Sequence, residues 1–266
     1  MRKYCLLLMI VFIVISATSV IAGQPNLPPS PPERTFSLPP QASEVASGVY
    51  YLGTSYDKEK PVEGYALIHY KPGYAKPTNP AKPSKDPSCY TYLAKGAKWR
   101  ILEPYIVDLT YSNEIAPIIA SSIQKWEVAA GKDILGENSA GTIDGADMEN
   151  PDNKNEVMFG GIEDKNVIAV TIVWGTFSAP VPSRELVEWD QVYNTDYDWS
   201  FRGEPDTTEM DFDNIATHEL GHSVGMGDLY TSACSEQTMY GYAATGETKK
   251  RSLESGDIFG IKSLYK

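Results

Sequence analysis

One short segment of the 266-residue chain concentrates residues that could hold a metal ion and activate water. Residues 218–228 read His-Glu-Leu-Gly-His-Ser-Val-Gly-Met-Gly-Asp. On a helix, His218 and His222 lie four residues apart, so both imidazoles project from one face at the separation that a single zinc ion needs. Glu219 can reach a metal-bound water without binding the metal itself. The spacing therefore predicts a zinc site with hydrolytic chemistry.

The chain must turn back after this helix to supply a third ligand. Gly225 can adopt a positive φ at no steric cost, so it can end the helix. Asp228 would then take the third corner of a tetrahedral site and leave the fourth for water. The sequence contains three histidines, and none follows the motif to compete with Asp228. We expect the remaining one, His69, to be a strand-surface or hairpin residue outside the site.

The residues around this motif resemble the metzincin clan of zinc metallopeptidases, and within it the matrixins. Residues 234–241, Cys-Ser-Glu-Gln-Thr-Met-Tyr-Gly, are similar to the clan's Met-turn, which places a methionine, here Met239, beneath the metal. Residues 255–265 resemble the closing helix of matrixins, and secreted matrixin-like proteins of archaea and bacteria are the most similar type. Asp228 stands where most matrixins have a third histidine. This variant resembles the snapalysin family, whose oxyanion-steadying tyrosine corresponds to Tyr230.

This resemblance implies both a fold and an activity. The fold is an α/β (α+β) metzincin-like domain, with a twisted mixed sheet of about five strands, an active-site helix, a Met-turn and a C-terminal helix. The activity is that of a zinc-dependent endopeptidase, which hydrolyses a peptide or protein substrate through a metal-activated water with Glu219 as general base. The substrate would lie antiparallel along an edge strand at residues 167–174. The alternative is an inactive, surface-displayed binding protein that retains a structural zinc site.

The N-terminus predicts export. Two basic residues precede an apolar run that ends in small residues, a pattern typical of a signal peptide over residues 1–22. An uncleaved anchor is the alternative, because residues 4–22 are just long enough to cross a bilayer. We therefore expect a secreted monomer, or one tethered at the cell surface if the anchor stays. The formal net charge of −12 argues against nucleic acid as a partner.

The composition divides the mature chain into two segments. Residues 23–88 form a Pro-rich linker around a small hairpin predicted at residues 48–56 and 62–70, and residues 89–266 form the zinc peptidase domain. The first segment is interpreted either as a pro-region that closes the cleft until it is removed or as a permanent accessory module. Further elements are predicted in the second segment: a strand at 99–110, a helix at 114–130, strands at 155–161 and 167–175, and an irregular stretch at 176–210.

Two smaller sets of residues could also be functional. Cys89 and Cys234 remain as an even pair once the signal is removed, which predicts a disulfide in an oxidising compartment. The alternative role for Cys89 is that of a latent zinc ligand. Residues 187–199 resemble the matrixin segment H-F-D-x-x-E-x-W, which implies that their acids help to hold calcium, an ion that prefers hard oxygen ligands. A solvated acidic loop is an equally good interpretation. These acids are Glu188, Asp190, Asp196 and Asp198.

Overall fold

A computed structural model describes residues 35–74 and 88–266. The predicted signal peptide and part of the Pro-rich linker lie outside the described residues. Among the residues described, no helix is both long and apolar enough to cross a bilayer.

Within the described residues, the regular structure consists of ten strands, three α-helices and four short 3-10 helices. The strands are β1 (Thr35–Phe36), β2 (Ser43–Ala46), β3 (Val49–Asp57), β4 (Lys60–Tyr70), β5 (Tyr105–Val107), β6 (Asn155–Ile162), β7 (Val167–Gly175), β8 (Leu186–Asn194), β9 (Trp199–Ser200) and β10 (Met210–Asp211). The helices are α1 (Ser112–Ala130), α2 (Phe212–Ser223) and α3 (Ser255–Leu264).

One mixed sheet of eight strands organises the molecule, in the order β1-β6-β8-β7-β4-β3-β2, with β5 also paired to β6. Strands β1, β5 and β8 run parallel to β6, whereas β7 runs antiparallel to both of its neighbours, β8 and β4. The short strands β9 and β10 form a separate pair. The sheet exceeds the five strands expected because the N-terminal strands extend it.

The predicted edge strand is an interior strand of this sheet. Strand β7 has the predicted bounds, but β4 covers its free side along the register that pairs Tyr65 with Val173 and Ile68 with Val170. Every residue of β7 is buried. The expectation that a substrate pairs with β7 is therefore wrong for this arrangement, because the backbone groups of β7 are already bonded to β4.

The three helices cover one face of the sheet. Helix α1 begins and ends close to its predicted limits, and Ile115, Ile119, Ile123 and Trp126 are buried at helical spacing. The Trp126 indole donates a hydrogen bond to the Thr217 carbonyl at 2.8 Å, which fixes α1 against α2. A second apolar cluster fills the opposite face, where Ile143 and Met148, from the loop before β6, pack on the sheet.

Several local predictions need correction. Strand β8 lies inside the stretch predicted as irregular, 176–210, and the strand predicted at 99–110 is reduced to the three residues of β5. Asp211 caps α2, since its carboxylate accepts a hydrogen bond from the Asn214 amide at 2.7 Å. Glu254 caps α3.

The hairpin and the C-terminal segment are joined within this sheet. Strands β3 and β4 form the predicted hairpin, and β4 bonds to β7 across the boundary proposed at residue 88. A disulfide links Cys89 to Cys234, as predicted, with Cα atoms 5.3 Å apart. The alternative role of Cys89 as a zinc ligand is thereby excluded, because its sulfur is already bonded.

Candidate metal centre and catalytic site

Helix α2 carries the metal motif through the interior of the protein. All of its residues except Asp213 are buried, including Asn214 and Thr217. Lys125 on α1 forms an ion pair with Asp213 and donates a hydrogen bond to the Thr217 hydroxyl at 3.0 Å, so these two side chains of α2 have a partner on α1. A buried helix held from several sides provides a rigid support for the histidines.

The three predicted metal ligands converge at one point. The Asp228 Oδ1 atom lies 3.2 Å from His218 Nε2 and 3.5 Å from His222 Nε2. The two imidazole rings are perpendicular, with centroids 4.9 Å apart. Gly225 has a φ of 102°, so the chain turns back after α2 in the predicted way. A side chain at Gly225 would also place its Cβ 2.5 Å from the Ala97 carbonyl oxygen.

The outer nitrogens of both imidazoles are held by backbone carbonyls. His218 Nδ1 lies 2.7 Å from the Thr238 oxygen, and His222 Nδ1 lies 3.0 Å from the Met226 oxygen. A carbonyl can only accept, so each Nδ1 carries the proton and each Nε2 has a free lone pair. This arrangement orients metal-binding histidines and fixes their tautomer.

The donor set fits zinc. His218 Nε2 and Asp228 Oδ1 are buried and lack a hydrogen-bond partner within the described structure. Buried polar atoms without a partner are costly, and a cation bound between them removes that cost. The ligand atoms of His218, His222 and Asp228 all lie within 4.8 Å of one another. Two nitrogens and one carboxylate oxygen are a typical catalytic zinc set, which leaves one position open.

Met239 lies directly beneath α2. It is fully buried, and a Cβ added to Gly221 would come within 2.2 Å of its sulfur. The preceding turn is fixed by Asp257 on α3, whose carboxylate accepts hydrogen bonds from the Thr238 amide at 2.7 Å and the Met239 amide at 3.2 Å. Helix α3 therefore stabilises the turn at Met239, and this turn orients His218 through the Thr238 carbonyl.

Glu219 lies beside the metal ligands, with a carboxylate oxygen within 4.8 Å of a His218 nitrogen, and it also contacts the sheet. Its Oε2 accepts a hydrogen bond from the Thr171 hydroxyl on β7 at 2.6 Å, and its Oε1 lies 3.0 Å from His69 Nδ1 on β4. Burial raises the pKa of the Glu219 carboxyl to about 7. A carboxylate with this pKa is suited to accept and return a proton near neutral pH.

The expectation that His69 is a surface residue outside the site is wrong. It is buried, with 1% of its surface exposed, and its ring centroid lies 4.0 Å from that of His218. Burial and the neighbouring His218 lower the pKa of His69 well below its usual value. His69 is therefore neutral near neutral pH, and its contact with Glu219 is a hydrogen bond rather than an ion pair. No local pattern could have indicated this contact.

The end of strand β4 lies beside the metal centre, where His69 contacts Glu219. Strand β4 pairs with β7 on one edge and with β3 on the other, and at its last residue Tyr70 forms a parallel bridge with Tyr242, in the segment after Met239. The Tyr230 hydroxyl lies 3.2 Å from the Ser47 carbonyl and 3.3 Å from Asp228 Oδ2. The side chain predicted to steady the oxyanion thus contacts the N-terminal segment as well as a metal ligand.

The four acids considered for calcium lie at two separate places in the structure. Asp196 and Asp198 are exposed in the turn after β8. Glu188 and Asp190 are buried on β8, where they meet Asp147 from the loop before β6. The sequence pattern could not indicate Asp147, since the loop that carries it has no recognisable ligand spacing.

The curled mixed sheet, the three helices and the converging His218, His222 and Asp228 define a metzincin-like catalytic domain. A comparison with known protein families supports this class and narrows it. Residues 152–266 match the family model described as Matrixin. The matched residues begin just before β6 and include the metal motif, the turn at Met239 and α3. This part of the chain is therefore matrixin-like.

Two curated proteins show the same similarity over a shorter segment. One is Matrix metalloproteinase-2 of Drosophila melanogaster, which is 35% identical over 77 residues, 29% of this chain and 10% of that protein. The other is Metalloendoproteinase 2-MMP of Arabidopsis thaliana, which is 34% identical over 77 residues, 27% of this chain and 19% of that protein. The alignments thus span less than a fifth of either relative.

Proposed function

We propose that the protein is a secreted, zinc-dependent endopeptidase of the matrixin-like type found in archaea and bacteria, with Asp228 as the third zinc ligand. The observation that supports this proposal most is the convergence of His218, His222 and Asp228 with both Nδ1 atoms bound to carbonyls. The names of the similar proteins, a matrix metalloproteinase and a metalloendoproteinase, point to the same activity.

The chemistry follows from the residues around this centre. Zinc would supply a Lewis acid that polarises the scissile carbonyl and a water molecule. Glu219 removes the proton from that water and delivers it to the leaving amine. The Thr171 hydroxyl orients the Glu219 carboxylate for this transfer. Tyr230, once its hydroxyl is released from Ser47, can donate a hydrogen bond to the oxyanion of the tetrahedral intermediate.

The N-terminal hairpin suggests that the chain is made in a closed form. Strand β4 lies on β7 antiparallel, the direction in which a substrate would bind, and His69 contacts the proposed base. An extended segment in this position excludes a substrate strand from the same backbone groups. We propose that residues 23–88 are a pro-region and that cleavage between residues 71 and 88 opens the site.

A specific observation also favours the second candidate, a binding protein with a structural zinc site. Strand β4 contributes Val62, Ala66 and Leu67 to the core, each with no exposed surface. A permanent hairpin of this kind would keep the metal inaccessible to substrate. The two functions differ in whether the hairpin can leave β7, and that difference can be measured.

A recognition sequence for a specific protease, placed within residues 75–87 of the full-length chain, provides the test. The zinc-loaded protein is assayed on an unstructured protein substrate before and after cleavage at that sequence. The proposal predicts little turnover before cleavage and a large increase after it. No turnover after cleavage, with zinc bound and residues 35–74 removed, contradicts the endopeptidase and favours the binding protein.

A further inference from the structure

Residues 89–97 form a short segment that pairs with the turn after α2. The Leu93 amide donates a hydrogen bond to the Gly225 carbonyl at 2.9 Å, and the Gly227 amide donates one to the Thr91 carbonyl at 3.0 Å. The two bonds run in opposite directions and lie on either side of one residue of the turn. The main chain of the segment therefore fixes the turn without depending on side chains.

The middle of this pairing supports the metal ligands. Tyr92 forms an antiparallel bridge with Met226, and the Met226 carbonyl lies 3.0 Å from His222 Nδ1. Asp228 follows two residues later, and its side chain is 3% exposed beside the two imidazoles. The segment thus contacts the part of the chain that orients His222 and presents Asp228.

The segment and the turn also pack too closely for larger residues at the glycines of the turn. A Cβ on Gly227 would lie 3.0 Å from Thr91 Cγ2, and one on Gly225 would lie 2.5 Å from the Ala97 carbonyl oxygen. Leu93 and Ala97 are buried in the main core. A displacement of the segment would therefore displace the turn as well, because interiors packed at this density transmit strain.

The Cys89–Cys234 disulfide anchors the start of the segment to the chain just before the turn at Met239. Cys89 has a φ of 41° and Ala94 a φ of 44°, a left-handed conformation that is unfavourable for residues with a side chain. The segment therefore needs its contacts to keep this shape. The Tyr92 hydroxyl supplies a further contact, since it donates a hydrogen bond to the Gly260 carbonyl on α3 at 3.0 Å.

We infer that residues 89–93 position Asp228 for zinc and that the Cys89–Cys234 disulfide keeps them in place. The inference rests on the proposed function, since it assigns a means of regulation to the same zinc site. Cys89 is half-buried, so a dithiol can reach its sulfur. Exchange with a dithiol leaves two protein thiols and oxidises the dithiol to its own disulfide. The turn then loses its anchor and zinc binds more weakly, so the complete site requires an oxidising compartment.

The position of the segment agrees with the proposed removal of the hairpin. A cut within residues 75–87 lies on the N-terminal side of Cys89, so the disulfide and the pairing at Thr91 and Leu93 stay with the metal centre. A cut after Leu93 would separate the anchor from the rest of the segment. The contacts therefore set a limit beyond which processing would damage the zinc site.

Zinc affinity, measured by competition with a chelator, tests the pairing without a peptidase assay. Leu93 begins a short 3-10 helix after the extended Tyr92, so proline fits this backbone and removes the amide that bonds Gly225. Leu93→Ala is the matched control, because it shortens the side chain and keeps the amide. We expect the zinc affinity of Leu93→Pro to be lower than that of Leu93→Ala by at least about tenfold. Equal affinities of the two variants overturn the positioning role.

Reduction of the full-length protein tests the disulfide. The parent is reduced with dithiothreitol, freed of it without oxygen, and compared with the oxidised parent and with Cys89→Ser/Cys234→Ser, after circular dichroism has shown that each is folded. The reduced parent and the double variant should bind zinc at least about tenfold more weakly than the oxidised parent. Equal affinity of the oxidised and reduced parent overturns the role of the disulfide. Glu219→Gln should respond to reduction as the parent does, so a failure of the proposed peptidase activity would leave this result unaffected.

Discussion

His69 Nδ1 lies 3.0 Å from Glu219 Oε1, although the two residues are 150 positions apart in the sequence. The contact joins the hairpin strand β4 to the helix that carries the metal motif. It buries the proposed general base against a neutral imidazole at the position where a substrate and water would have to enter. This one pair of side chains therefore belongs both to the proposed catalytic mechanism and to the proposed closed form.

Changing His69 should open the site in part. His69→Ala removes the contact with Glu219 and leaves a cavity under β4, which weakens the packing of β4 on β7 by about 2 kcal/mol or more. We expect the uncleaved, zinc-loaded chain to gain peptidase activity several-fold, measured on an unstructured protein. Tyr56→Ala on the exposed part of β3 is the control and should leave activity unchanged. Unchanged activity in His69→Ala, with the protein folded, would argue against a closed form held by this contact.

The zinc affinities of variants can distinguish the proposed zinc ligands from the side chains beside them. Asp228→Ala leaves two imidazoles and should weaken zinc binding strongly, whereas Asp228→His supplies a third imidazole and should keep it. His69→Ala serves as the comparison, because His69 belongs to the hairpin contact rather than to the proposed ligand set. Competition with a chelator measures all three affinities. Loss of zinc in His69→Ala and its retention in Asp228→Ala would invalidate the proposed ligands.

The turn at Met239 should depend on Asp257. Asp257→Asn replaces one accepting oxygen with a donor facing the Thr238 and Met239 amides, which leaves a buried amide without a partner. The cost should be about 1–3 kcal/mol in the free energy of unfolding. Zinc affinity should fall too, since the Thr238 carbonyl orients His218. Denaturant unfolding measures the effect, and the exposed Lys262→Gln is the control. A change below about 0.5 kcal/mol would contradict this role.

The acidic cluster predicts how stability depends on pH. Burial raises the pKa of Asp147 to about 6, that of Glu156 to about 7 and that of Glu188 to about 10, and raises the pKa of Asp190 as well. An acid with a raised pKa in the folded state holds a proton that the unfolded state releases. The free energy of unfolding of the calcium-free protein should therefore fall as pH rises from about 4 to 8.

The neighbouring groups Asp144, Asp152 and Lys154 form ion pairs in the same place, so the comparison needs a variant that changes the buried acids alone. Glu188→Gln with Asp190→Asn should show a flatter profile. Thermal unfolding of the zinc-loaded proteins at several pH values provides the measurement. A parent whose stability rises over this pH range would show the assignment to be incorrect.

The residues predicted as metal ligands converge because they lie close together in the sequence. His218, Glu219 and His222 share one helix, and Asp228 follows after a single turn at Gly225. Helices and the hairpin were also predicted close to their limits, because their apolar residues repeat with a clear period. Spacing along the sequence was therefore sufficient to predict a site or an element when a single helix, strand or turn carried all of its residues.

The missed features depend on contacts between distant elements. Strand β8 was overlooked because its buried acids, Glu188 and Asp190, interrupt the apolar pattern that marks an interior strand. The contact of His69 with Glu219 follows from the pairing of β4 with β7, which no local signal specifies. Asp147 joins the acidic cluster through the same kind of long-range packing. These are also the places where the structure adds most to the proposed function.

The most direct test of the central proposal is the turnover of Glu219→Gln beside the parent, both zinc-loaded and cleaved within residues 75–87. Glutamine keeps the shape of the side chain but cannot take the proton, so turnover should fall by at least about a hundredfold while zinc content stays equal. The exposed Glu236→Gln should match the parent. Equal turnover in Glu219→Gln and the parent would contradict the proposed role of Glu219 and with it the mechanism.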